Sequence, residues 1–163
     1  MSSNLSESRK RIAIVGVGNI LMADDGVGVR VIEELGKKAL PEQVALFDGG
    51  TAFPTLFYQL LAFDKLIVVD AARGGGAAGT IYRFGLTEAS EKTGALLSLH
   101  DVGVVETLCT QRLVYDIPEE IVFFGLEPAS IEPSLELSPT VGARLGQLVD
   151  AVLAELEEDF GVG

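Results

Sequence analysis

The sequence predicts a single α/β domain built on a mostly parallel sheet, and three observations carry that prediction. Near-continuous apolar runs of strand length, at 11–17 and 65–69 among others, read as strands covered on both faces. Segments with helical apolar spacing alternate with these runs, and the connections between them are short. The chain of 163 residues, 48% of them apolar, is long enough to bury one core and contains no linker, internal repeat or second domain.

Residues 1–10 are polar without an apolar core, so they are expected to be neither a secretory signal nor a structural element but a disordered N-terminal tail. The first strand, 11–17, runs into Gly16-Val17-Gly18-Asn19. After a loop with Asp24, Asp25, Gly26 and Gly28, a helical stripe joins Val27, Val31, Ile32 and Leu35, while Arg30, Glu33, Glu34, Lys37 and Lys38 face outward. Asp24 and Asp25 thus precede a helix, where the macrodipole favours anions. The unit then repeats as a short strand at 44–47, the turn Asp48-Gly49-Gly50-Thr51 and a helix at 55–63. A third strand, 65–69, ends at Asp70. This order is the pattern of a parallel sheet wound by right-handed crossovers.

Residues 71–79 include Gly74, Gly75 and Gly76 in succession and are expected to be a mobile loop, a candidate edge for a groove. Strands follow at 80–84 and 121–125. Between them Ser98-Leu99-His100-Asp101 resembles a capping box, and Val102, Val105, Leu108 and Cys109 recur at helical spacing, which puts His100 in a helix's first turn. Ser138-Pro139 opens the last helix, with Ser as cap and Pro at the first helical position, and its stripe runs from Val141 through Leu145, Leu148, Val149 and Val152 to Leu156. The domain is bounded at 11–157, with 158–163 as a C-terminal tail. The whole reads as a three-layer, flavodoxin-like sandwich with helices on both faces of a twisted sheet.

Twelve Lys and Arg against 24 Asp and Glu give a net charge of −12. Such a surface repels phosphate backbones and anionic bilayers, so neither nucleic acid nor membrane is an expected partner. Mean hydropathy is +0.37, yet no apolar run approaches the roughly 18 residues needed to span a bilayer. Cys109 is the sole cysteine, which excludes an internal disulfide and a thiolate-rich zinc cage. A reducing, cytoplasmic location and a monomeric state are expected.

In a doubly wound sheet the ligand crevice lies beyond the carboxyl ends of the strands where strand order reverses; for a 2-1-3 arrangement that is between the first and third strands. Asp25 follows the first strand, Asp70 ends the third, and Asp48 follows the second on the same rim. Each acid also has a structural reading: Asp24 and Asp25 as helix caps, Asp48 as a turn residue, Asp70 as the anchor of the loop after it. Their common placement argues for a site. A dinucleotide fingerprint fails, because Leu21 stands where a third glycine is required and two acids would repel a pyrophosphate. Gly16 and Gly18 instead permit a tight turn and close backbone packing.

His100 is the only histidine. A lone histidine is by default a surface or hydrogen-bonded core residue, but a helix N-terminus disfavours the imidazolium and keeps the ring available as a nitrogen donor. Two carboxylates and this imidazole can form an open divalent-metal site with room for water or a substrate carbonyl. Asp101 is the capping-box partner. Nucleophilic catalysis lacks a presented nucleophile: Cys109 lies on an apolar stripe, Ser98 is assigned to capping, and no Gly-x-Ser-x-Gly elbow occurs.

Gly16-Val17-Gly18-Asn19-Ile20-Leu21-Met22-Ala23-Asp24-Asp25-Gly26-Val27-Gly28, then Asp48-Gly49-Gly50-Thr51, Val68-Val69-Asp70-Ala71, His100-Asp101 and Gly125-Leu126-Glu127-Pro128 together resemble the hydrogenase maturation protease family over residues 11–156. The resemblance implies a nickel-dependent endopeptidase that removes a short C-terminal extension from the precursor of a nickel-iron hydrogenase large subunit once nickel has been inserted. It implies metal ligation by Asp25, where some members carry Glu, by Asp70 and by His100, and a role in cleavage or substrate handling for Asp48. The nickel is then carried by the substrate, with another divalent cation as a substitute in vitro, and the precursor is the partner. Phe53 and Pro54 stand where many members carry a further Gly. Two alternatives share the architecture: a maturation factor that binds nickel or precursor without cutting it, and an unrelated nucleotide or flavin binder, which the acidic rim disfavours.

Overall fold

Side-chain alternation along the first strand sorts the interior into two halves: Ile12 and Ile14 face one side, Ala13, Val15 and Val17 the other, and all are buried. The computed structural model describes residues 10–91 and 102–161. Five strands, β1 (Ile12–Val17), β2 (Val44–Gly50), β3 (Lys65–Ala71), β4 (Ile81–Gly85) and β5 (Glu120–Leu126), form one sheet in the order β2-β1-β3-β5-β4. The helices are α1 (Val27–Leu35), α2 (Phe53–Leu60), α3 (Leu86–Glu91), α4 (Val102–Gln111) and α5 (Pro139–Phe160). A 3-10 turn at Ala23–Gly26 precedes α1.

Helices α1 and α5 cover one face through Val27, Val31, Leu35, Leu148 and Val152. On the other face Phe53, Phe57 and Leu60 of α2 and Val104, Val105 and Leu108 of α4 pack over Leu66, Val68 and Phe123. The expected three-layer α/β sandwich is therefore the observed one. β2, β1, β3 and β5 run parallel, and strand order reverses between β1 and β3. Gly16 pairs with Asp48 on one side and Val69 on the other, so the carboxyl ends of these strands are level.

β4 runs antiparallel along the outer edge of β5. The connection from Ala71 to Ile81 is too short for a crossover helix, which takes a dozen or more residues, so β4 starts at the end of the sheet where β3 stopped. Helix α2 begins at Phe53, two residues before its expected start, because Pro54 is tolerated in a first turn. Ser138 caps α5 as the sequence suggests, its hydroxyl accepting from the Val141 N–H. α5 continues through residues 158–160, expected from the sequence to be a tail, and ends at Gly161 in the left-handed conformation. Among the described residues no helix is long and apolar enough to cross a membrane.

The amino end of the sheet is closed by charge. Lys65, the first residue of β3, is 2% exposed and donates to Glu155 Oε2 at 2.6 Å and Asp159 Oδ2 at 2.7 Å. Arg83 donates to both oxygens of Glu155, and Lys10 reaches Glu120 and Asp159. Burial alone would lower the Lys65 ammonium, but its hydrogen bonds to Asp159 and Glu155 outweigh that and leave it above its ordinary value. The Arg83 hydrogen bonds, working against burial and joined by Lys65, hold Glu155 at about 2.

Candidate active site

The site is assembled around Gly18, the residue that turns the chain off the end of β1. Its φ is 127°, a conformation L side chains rarely adopt, and its N–H donates to Gly50 O at 2.8 Å. A Cβ placed on Gly18 would stand 1.9 Å from the Asp25 carbonyl oxygen and 3.5 Å from Asp70 Oδ1. Residues 45 apart in sequence are thereby brought to one glycine, as the switch point between β1 and β3 requires. The approach depends on a second contact, for Gly28 at the start of α1 lies so close that a Cβ there would be 2.1 Å from Val69 O.

Both acids are buried, and backbone amides hold both. The Asn19 N–H donates to Asp25 Oδ2 at 2.9 Å, and the Ala71 N–H donates to Asp70 Oδ1 at 2.7 Å. Such bonds fix the orientations of the two side chains. Asp24, one residue earlier, does different work. Its Oδ2 accepts from the N–H groups of Ala129 and Ser130 and from Ser138 Oγ, and its Oδ1 accepts from the Ser138 N–H. Asp24 thus ties the 3-10 turn to the chain ahead of α5, and Ala23 before it takes a positive φ of 47°. Of the two adjacent acids, Asp24 is a structural anchor and Asp25 lies at the crevice.

Asp48 stands apart from that pair. It ends the regular part of β2, is exposed, and accepts from the Gly50 N–H at 3.0 Å. With β1 lying between β2 and β3, Asp48 is two strand spacings, about 10 Å of backbone, from Val69. It lines an open cleft of about 340 Å³ with Gly18, Asn19, Ile20, Leu21 and Thr51. Leu21 is 58% exposed there, and its carbonyl accepts from the Ser134 N–H at 2.9 Å. The cleft therefore joins an apolar wall to one carboxylate and abuts the Asp25–Asp70 crevice through Gly18.

Ser98, His100 and Asp101 lie outside the described residues. Helix α4 follows them at Val102, and its far end meets the far end of α2, where Tyr115 and Tyr58 pack edge to face at 5.5 Å. Among the described residues no three His, Cys, Asp or Glu side chains converge as a metal-binding group. Cys109 is half-buried against the α2–α4 core.

Glu127 belongs to the block Gly125-Leu126-Glu127-Pro128, but the sequence alone suggests no role for it. This carboxylate is 7% exposed at the end of β5, and its Oε1 accepts from the Gly74 N–H at 2.8 Å and the Tyr82 hydroxyl at 2.7 Å. The Gly76 N–H donates in turn to the Tyr82 oxygen, and the Gly79 N–H to Glu127 O. Burial, and then the bond to Glu127, push the Tyr82 phenol above its ordinary value, so it remains a donor at neutral pH. The loop at 71–79, expected to be mobile from its glycines, is in fact tied across the end of β5. The available signal was an acid placed directly after an apolar strand, where burial demands hydrogen-bond partners.

These features define an α/β domain with an acidic crevice at its topological switch point and an apolar cleft alongside. A family model described as hydrogenase maturation protease matches residues 29–155. The chain is 35% identical over 150 residues to the hydrogenase 2 maturation protease of Escherichia coli K12, covering 91% of this chain and 92% of that protein. It is 35% identical over 156 residues to the hydrogenase expression/formation protein HupD of Bradyrhizobium diazoefficiens, covering 94% and 81%. The solved structure of the hydrogenase maturating endopeptidase HybD from Escherichia coli superposes with a TM-score of 0.83 at 35% identity, covering 91% of this chain and 93% of that one. A hydrogenase 2 maturation peptidase from a Thaumarchaeota archaeon gives 0.69 at 34% identity, covering 90% and 98%. The chain belongs to the hydrogenase maturation protease family.

Proposed function

We propose that this protein is an endopeptidase that removes the C-terminal extension of a nickel-iron hydrogenase large-subunit precursor, and that it recognises the nickel the precursor carries. The observation that supports this reading best is the approach of the Asp25 main chain and of Asp70 Oδ1 to Gly18, on the rim expected to hold a ligand. Two buried carboxylates, with the His100 imidazole that the family resemblance adds, make a borderline oxygen and nitrogen donor set without thiolate. Such a set holds metal weakly when alone and gains most when another polypeptide supplies the remaining ligands. Nickel is thus part of the substrate, and its chemistry on arrival is to polarise a carbonyl or a water.

The remaining work falls to the chain itself. The Ile20 and Leu21 wall holds the extended tail and sheds water from it, while Asp48 faces the same space and is free to take a proton from the attacking water and return it to the departing amine. Hydrolysis then adds hydroxyl to the carbonyl carbon and a proton to the new amino terminus. We place the protein in the cytoplasm as a monomer.

The test is to incubate the purified protein with nickel-loaded and nickel-free precursor and to follow trimming by gel shift and mass spectrometry. Loaded precursor is cut once near its C-terminus, and Asp25→Asn, Asp70→Asn and His100→Ala abolish cutting while the fold persists. Equal trimming of nickel-free precursor, or normal cutting by His100→Ala, would remove the nickel from the scheme. Tight binding of loaded precursor without cutting would identify a non-catalytic maturation factor instead.

A further inference from the structure

Hydrogen bonds to segment 126–130 link the chain leaving Asp70 with Asp24, the sequence neighbour of Asp25. The chain leaving Asp70 crosses the end of β5, with Ala72 packed so closely on Gly125 that a Cβ there would be 2.4 Å from the Ala72 Cβ. The Ala72 N–H donates to Leu126 O at 3.0 Å, and the Gly74 N–H then reaches the Glu127 carboxylate. Two residues further along β5's exit, the N–H groups of Ala129 and Ser130 donate to Asp24 Oδ2 at 2.8 and 2.9 Å. The segment 126–130 is therefore gripped on one side by the strand that carries Asp70 and on the other by the turn that carries Asp25.

We infer that Glu127, with Tyr82 as its second partner, is a positioning residue that fixes Asp70 relative to Asp25; this inference rests on the endopeptidase reading above. The Glu127 carboxylate bonds to Gly74 and Tyr82 rather than to either acid. Its carboxylate replaces water as the partner of the Gly74 N–H in a stretch where Gly74, Gly75 and Gly76 would otherwise sample many backbone conformations. Two carboxylates that share one ion tolerate errors of only about 0.5 Å, so a support that holds the strand exit still is part of the site. The Tyr82 hydroxyl serves both sides of the loop at once, donating to Glu127 and accepting from Gly76.

The experiment uses the full-length chain and three variants, Glu127→Ala, Glu127→Gln and Tyr82→Phe. Hydrogen exchange at 71–79 is measured without metal or precursor, and cutting of nickel-loaded precursor is resolved into kcat and KM. Glu127→Ala raises exchange at Gly74 roughly tenfold and lowers kcat roughly tenfold with little change in KM, the pattern of a lost geometry rather than lost binding. Glu127→Gln keeps an acceptor oxygen at Oε1 and restores both readouts to within about threefold of the unaltered chain.

Faster exchange in Glu127→Ala with unchanged kcat would overturn the inference, and so would a failure of Glu127→Gln to rescue. Should Glu127→Ala not fold, Tyr82→Phe removes only the hydroxyl. It is expected to lower kcat about threefold with its thermal midpoint within a few degrees of the unaltered chain, and an unchanged kcat would count against the proposal. Failure of the unaltered chain to cut loaded precursor is a failure of the functional reading and is seen before any variant is made. Failure of the positioning role is seen only on a precursor that the unaltered chain does cut.

Discussion

Ser138 donates twice to Asp24, from its N–H to Oδ1 at 2.7 Å and from its hydroxyl to Oδ2 at 2.8 Å, so the residue that caps α5 is also tied to the turn that leads into α1. Asp24 and Asp25 are neighbours in sequence and both are buried, yet their partners give them opposite sensitivities.

Asp24→Ala leaves the Ala129, Ser130 and Ser138 donors without their acceptor and is expected to lower the unfolding free energy by roughly 3 kcal/mol or more. Asp25→Asn keeps an oxygen for the Asn19 N–H and is expected to change stability by about 1 kcal/mol or less while processing is lost. Urea unfolding alongside the cleavage assay separates the two. Equal stability losses would remove the distinction.

Gly18→Ala combines a positive φ with a Cβ placed inside the contact distance of the Asp25 carbonyl oxygen. The turn must shift, at a cost of about 3 kcal/mol or more. A lower thermal midpoint and loss of cutting are expected together, whereas a variant that cuts normally would show that the crevice is not set by this turn.

Glu155 links stability to acid. Its folded value of about 2 lies below the ordinary 4.5, so its contribution is fully present above about 4.5 and is lost as pH falls from there toward 2. The loss amounts to roughly 3 kcal/mol across that window, and Glu155→Gln should flatten it. Unfolding free energies at pH 5 and pH 3 in the two proteins provide the measurement, with parallel slopes as the contrary result.

Asp48→Asn alters an exposed group whose acceptor oxygen for Gly50 survives, so stability is expected to change by no more than about 0.5 kcal/mol. Cutting should slow by roughly 100-fold through kcat, the usual scale of a lost proton-transfer group. Leu21→Ser, on the same cleft, should raise KM and spare kcat. An Asp48→Asn enzyme with full kcat would move proton transfer elsewhere.

Much of this arrangement was legible in the sequence because burial writes itself into hydropathy. The runs at 11–17 and 65–69 mark β1 and β3, the Val27, Val31 and Leu35 stripe marks α1, and Ser138-Pro139 marks the start of α5. The placement of Asp25 and Asp70 on one rim followed from topology, since helical crossovers leave strand ends level. What stayed hidden was decided by side-chain hydrogen bonds between distant segments. Nothing local to Gly74–Gly76 announces that Glu127 holds the loop, and nothing local to Asp24 announces Ala129 and Ser138. The antiparallel course of β4 likewise depends on where the strand pairs, which periodicity does not record.

The ion cluster of Lys65, Glu155, Asp159, Arg83 and Lys10 caps the pole of the molecule opposite the acids of the rim. One source of robustness is thereby set a full strand length away from the proposed site. Sequence change at the charged pole can retune how well the fold survives heat or acid without disturbing how the protein meets its client.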